Sequence, residues 1–101
     1  MAEFRKVATL AEVADGTMKL VQAGGAAIAL CRLGGAVYAT ANTCPHRGGS
    51  LGEGSVQDGA IVCPWHGFRY DPKTGRCLNN PALAVACHPV RVEGQDVLVE
   101  V

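Results

Sequence analysis

Thr43-Cys44-Pro45-His46-Arg47-Gly48-Gly49 and Val62-Cys63-Pro64-Trp65-His66-Gly67-Phe68 are the stretches on which the reading of this chain turns. Each holds one thiol and one imidazole in a loop rich in glycine and proline, so Cys44, His46, Cys63 and His66 together offer four ligands to one metal centre. The pattern is Cys-x-His, sixteen residues at 47–62, then Cys-x-x-His. One residue between two ligands does not fit a helical face, but it suits a tight turn that points both side chains into one pocket. Pro45 and Pro64 fix φ in those turns. Gly48, Gly49, Gly52, Gly54 and Gly67 let the backbone come close to the metal group and aim N–H groups at it.

Two other readings of these residues exist. Structural zinc usually pairs like with like, C-x₂₋₄-C with H-x₃₋₅-H, whereas here each loop supplies one ligand of each type. Two unrelated Cys/His pairs would not be expected to share this separation and to be followed by Gly67, Tyr70 and Asp71. On these motifs the sequence resembles the Rieske [2Fe-2S] family, in which two histidines replace two cysteines on one iron. The resemblance covers essentially the whole chain. It implies that Cys44 and Cys63 bind one iron of a single [2Fe-2S] cluster and that His46 and His66 bind the other.

Charge bookkeeping then sets the chemistry. Two ferric ions bring six positive charges, two sulfides remove four and two thiolates remove two, so the oxidised centre with neutral imidazoles is uncharged. Reduction adds one negative charge to a neutral group and not to a dianion. Histidine ligation therefore raises the potential to about −150 to +300 mV, against about −400 mV for plant-type ferredoxins. The added electron is expected on the His-ligated iron, and an imidazole edge facing solvent can carry a proton or touch a partner.

Within the family the chain looks like the low-potential, ferredoxin-like branch. Respiratory Rieske subunits carry a membrane anchor and resemble Cys-Thr-His-x-Gly-Cys and Cys-Pro-Cys-His-Gly-Ser, with a disulfide between their two non-ligand cysteines. The matching positions here are Gly49 and Trp65, so that bridge cannot form. Phe68 replaces the serine that donates to a cluster sulfide, while the tyrosine two residues later is kept as Tyr70. Fewer donors leave the reduced state less stabilised.

Composition sets the remaining bounds. A chain of 101 residues buries one modest core, and the expectation is a single domain over 1–101 with a cluster-binding subdomain at about residues 43–72. Hydrophobic residues at 49% with 18% charged indicate a folded globule. Nine basic and nine acidic residues cancel, so no bulk field draws the protein to nucleic acid or an anionic membrane. The N-terminal Met-Ala-Glu-Phe-Arg-Lys has no apolar signal core, and no apolar run approaches the roughly 18 residues of a span. The expected location is the cytoplasm.

Short apolar or alternating runs broken by Gly, Pro, Asn and Asp point to an all-β fold. Expected strands are 4–8, 18–21, 27–33, 37–41, 59–62, 69–70, 84–88, 90–93 and 97–101, with a short helical turn at 9–14. Gly34-Gly35 reads as a tight hairpin and Glu93-Gly94-Gln95-Asp96 as a longer one. The resemblance implies three small antiparallel sheets with the cluster at the tip.

Cys31, Cys77 and Cys87 remain, and the favoured reading is small buried hydrophobes in a reducing compartment, with a Cys77–Cys87 bridge disfavoured. His88, before Pro89, reads as a half-exposed strand residue and not a ligand. Pro81, in Asn79-Asn80-Pro81-Ala82, falls where the family places a loop against the metal; an ordinary turn is the equal alternative. Of Trp65 and Phe68, one is expected to pack inward and the other to form an apolar rim. Pro45, Arg47, Gly48, Trp65 and Pro81 are the candidate docking residues.

No dinucleotide fingerprint, P-loop or Ser/His/acid set accompanies the metal loops. With two sulfides and two side chains on each iron, no position is open to substrate, so the domain is expected to carry electrons and not to be an enzyme. The resemblance implies a ferredoxin component of a bacterial aromatic-ring dioxygenase or related oxygenase. Its partners would be an NAD(P)H-dependent flavoprotein reductase and a terminal oxygenase. The alternatives are the small subunit of an assimilatory nitrite reductase and a zinc-stabilised interaction module.

Overall fold

The run Ala26–Leu33, the longest strand of the molecule, explains the layering. Strand side chains alternate between faces, yet Ile28, Ala29, Leu30 and Cys31 are all fully buried. Ile28 and Leu30 enter one apolar cluster with Val13, Val21, Val97 and Val99. Ala29 and Cys31 enter a second, with Cys44, Leu51, Ile61, Cys63 and Tyr70. A strand covered on both faces reads as continuous apolar sequence, and this one separates the base of the protein from the part that carries the metal loops.

The computed structural model describes residues 3–45, 48–65 and 67–101. Its strands are β1 Phe4–Thr9, β2 Met18–Ala23, β3 Ala26–Leu33, β4 Ala36–Ala41, β5 Ser55–Gln57, β6 Ala60–Val62, β7 Arg69–Tyr70, β8 Cys87–His88, β9 Val90–Glu93 and β10 Asp96–Glu100. They form three sheets, ordered β1-β10-β9, β2-β3-β4-β8 and β5-β6-β7. Every pairing is antiparallel, and the all-β, three-sheet expectation holds. The short helical turn is a 3₁₀ turn at Leu10–Glu12. Arg32 Nη1 ties it to β3 by donating to the carbonyls of Leu10 at 3.0 Å and Val13 at 3.1 Å.

The Gly34-Gly35 hairpin is present, with φ of +57° and +84° at two positions that only glycine fills without strain. Three expectations are corrected. The turn at Glu93–Asp96 is short, because Glu93 pairs directly with Asp96 and only Gly94 and Gln95 lie between them. The strand expected over 84–88 shrinks to Cys87–His88, since Ala84 makes only an isolated bridge to Arg76. β5 was not expected at all. Ser55–Gln57 is too short and polar to read as a strand alone, and it forms because Asp58 (φ +51°) and Gly59 (φ +77°) turn it onto β6.

Asn42 joins the two parts. It follows β4, is 8% exposed, accepts from Gly52 N–H through Oδ1 at 2.7 Å and donates to Ser50 Oγ at 2.9 Å. Its carbonyl also accepts Leu51 N–H at 2.9 Å. The 3₁₀ turn Leu51–Glu53 is thereby held against β2, so closely that a side-chain carbon on Gly52 would lie 2.8 Å from Leu20 Cα.

Candidate metal centre

Each cysteine loop closes on its own backbone. In the first, Cys44 N–H donates to Gly49 O at 2.8 Å and Gly48 N–H to Cys44 O at 2.8 Å, with Gly48 at φ +77°. A bridge between Thr43 and Ser50 ties the base of this loop. In the second, Cys63 N–H donates to Phe68 O at 2.8 Å, and Val62 pairs with Arg69 below it. Such rings hold the backbone of each cysteine in place.

The fold brings the two thiols to one place. Cys44 and Cys63 are each 1% exposed. Burial pushes the Cys63 thiol up, the Trp65 N–H opposes this, and the neighbouring Cys44 thiol adds to the rise. Trp65 N–H lies 3.4 Å from Cys63 Sγ. Tyr70 Oη lies 3.1 Å from Cys44 Sγ, and burial followed by that thiol raises the phenol's pKa. A phenol that keeps its proton donates it to the sulfur once the sulfur is a thiolate. A side-chain carbon on Gly49 would lie 3.0 Å from Cys63 Sγ, so the first loop already fills the space beside the second cysteine.

His46, Arg47 and His66 lie outside the described residues, and the sequence reading alone concerns them. The other sequence candidates separate clearly. Phe68 packs inward against the second apolar cluster, whereas Trp65 is 53% exposed and forms rim. Pro81 is exposed in a turn where Ala82 N–H donates to Asn80 Oδ1 at 3.0 Å. That turn is tied to β7 by Arg69 N–H to Asn79 Oδ1 at 2.7 Å. His88 lies on β8, at the edge of the β2-β3-β4-β8 sheet, with Nδ1 3.0 Å from Glu100 O.

No disulfide joins Cys77 to Cys87. Cys31 and Cys77 are buried as expected, but Cys87 is exposed. The reason is topological, because β8 is the edge of its sheet and, among the described residues, no strand lies beyond it. Asn42 and its grip on Gly52 escaped the sequence reading. An Asn two residues before Cys44 is the only local signal, and its partner is ten residues away.

The donor set fits a thiolate-ligated iron. Two buried sulfurs lie as neighbours in loops closed by backbone hydrogen bonds, and each has an N–H or O–H donor that favours its anionic form. The comparisons agree with this chemistry. A family profile for the Rieske [2Fe-2S] domain matches residues 3–96. The naphthalene 1,2-dioxygenase system ferredoxin component of Pseudomonas aeruginosa is 35% identical over 92 residues, covering 90% of this chain and 88% of the relative. The complex of reduced oxygenase and oxidised ferredoxin in carbazole 1,9a-dioxygenase superposes with a TM-score of 0.86 at 33% identity, covering 95% of this chain and 91% of that one. A putative NADH-dependent nitrite reductase small subunit from Mycobacterium tuberculosis superposes at 0.92 with 24% identity, covering 100% of this chain and 96% of that one. That last likeness is one of fold alone. The chain belongs to the Rieske [2Fe-2S] family. A Rieske domain binds a single [2Fe-2S] cluster, and this one is an electron carrier and not a catalyst.

Proposed function

We propose that this protein is the ferredoxin component of an aromatic-ring dioxygenase system, passing single electrons from an NAD(P)H-dependent flavoprotein reductase to a terminal oxygenase. The observation that carries it is the pairing of Cys44 and Cys63, both 1% exposed, in loops that each also supply one histidine. Cys44, His46, Cys63 and His66 are the proposed ligands. When bound, the cluster supplies a one-electron couple. Tyr70 and the Trp65 N–H stabilise negative charge on the two sulfurs, and burial of both cysteines keeps water from them. With Phe68 where another branch has a serine donor, the potential falls in the lower part of the Rieske range.

The relatives support the choice of partners, being ferredoxin components of dioxygenase systems or, in one structure, a ferredoxin in complex with its oxygenase. Partners dock on the exposed rim of Pro45, Gly48 and Trp65, together with Arg47. Among the described residues no helix is long and apolar enough to cross a membrane, in keeping with a cytoplasmic carrier. The chain acts as one domain over 1–101 with a cluster-binding subdomain at about residues 43–72.

The test is reconstitution. The purified protein should be red-brown, be reduced by NAD(P)H through a flavoprotein reductase, and be reoxidised by an aromatic-ring oxygenase. Cys63→Ser should abolish the normal cluster, while His88→Ala should keep it. A colourless, zinc-loaded protein would sink the proposal.

A further inference from the structure

Gly49 and Trp65 come from different loops and meet over Cys63. A side-chain carbon on Gly49 would sit 3.0 Å from Cys63 Sγ, 3.0 Å from Trp65 Cγ and 3.3 Å from Trp65 Cβ. Gly49 is not among the residues with positive φ, so its backbone does not demand glycine. The demand is for space, set by how closely the second loop approaches. Gly49 is itself anchored, since its carbonyl accepts Cys44 N–H at 2.8 Å. The contact therefore couples the backbone of one cysteine to the side chain beside the other.

The exposures give that contact a direction. Cys63 is 1% exposed, yet Trp65 two residues on is 53% exposed. One part of the indole is pressed on Gly49 beside a dry sulfur while the rest stands in water. We infer that Trp65 is a positioning residue: its indole, seated on Gly49, clamps the two metal loops together and roofs the Cys63 sulfur against water and chelators. This rests on the proposal that Cys63 is a ligand. Opening the loops requires the ring to leave Gly49 and expose apolar surface it now buries, and local opening of this kind controls access to a buried ligand.

Holoprotein of the wild type, W65A, W65F and G49A would be compared for visible and circular-dichroism spectra, midpoint potential and the rate of bleaching by a chelator. W65A should keep a Rieske spectrum but bleach about tenfold faster, the factor produced by roughly 1.4 kcal/mol less opening free energy, while W65F stays within about twofold of wild type. Its potential should rise, because admitted water solvates the added negative charge. G49A tests the contact from the other loop where W65A does not accumulate: its methyl lifts the indole, so it too should bleach faster. A normal wild-type spectrum with W65A or G49A at the wild-type rate and potential overturns the clamp. A Cys63→Ser variant with the wild-type spectrum overturns the ligand assignment, and the clamp falls with it.

Discussion

Tyr70 Oη lies 3.1 Å from Cys44 Sγ although 26 positions separate them in the chain. Tyr70 is the largest fully buried side chain of the protein's described residues, and it stands on the strand that follows the second cysteine loop. One phenol therefore links the loop of Cys44 to the strand beyond Cys63.

Removing that hydroxyl should lower the midpoint potential, because a donor to a thiolate favours the more negative, reduced state. Tyr70→Phe keeps the ring that fills the core. Losing about 1 kcal/mol of differential hydrogen bonding corresponds to a fall of roughly 40 mV for one electron. Protein-film voltammetry reads this directly, and an unchanged potential would show that the hydroxyl does not act on the sulfur.

Asn42→Ala should loosen the joint between the two parts of the molecule. The substitution leaves the Gly52 N–H, now paired with Asn42 Oδ1 at 2.7 Å, without its acceptor. An unsatisfied buried donor costs about 1–3 kcal/mol, so the thermal midpoint should fall by several degrees. Faster hydrogen exchange should appear first at residues 50–53. Uniform acceleration across all three sheets would instead mean a global loss of stability.

Cys31 should make the protein sensitive to alkali. Its thiol is fully buried, and burial, with a smaller contribution from Asp15, pushes it from 9.0 up to about 11. The unfolded chain releases this proton near 9.0 and the folded protein near 11, so the unfolded state holds fewer protons in between. The stabilisation is complete below that window and is lost as pH rises through it, at up to about 1.4 kcal/mol per pH unit. Cys31→Ala removes this contribution. The stability gap between wild type and variant should narrow from about pH 8 to about pH 11 in denaturant titrations, and a constant gap would exclude the effect.

The strands were legible where the chain carries its own punctuation. Gly34-Gly35 marks a turn whose two positive φ angles, +57° and +84°, glycine takes without strain. Val90–Glu93 and Arg69–Tyr70 were read with their observed ends. β5 was not legible, because Ser55–Gln57 becomes a strand only by lying on Ala60–Val62. The strand read at 84–88 was too long because Val85, 5% exposed, serves the second core from outside β8, its N–H donating to Gly75 O at 2.8 Å in place of a strand ladder.

By itself the sequence determined which residues carry thiols and imidazoles, and that the segments holding them are rich in glycine and proline. Those are local properties, set by side-chain type and by the φ angles that proline and glycine permit. Only the tertiary structure decided that Phe68 turns inward while Trp65 faces water, that Cys87 lies at an exposed edge, and that Gly49 is glycine for want of space. Each depends on which distant strand or loop lies alongside. Contact across the fold is settled by packing between segments far apart in the chain, and no spacing within either segment records it.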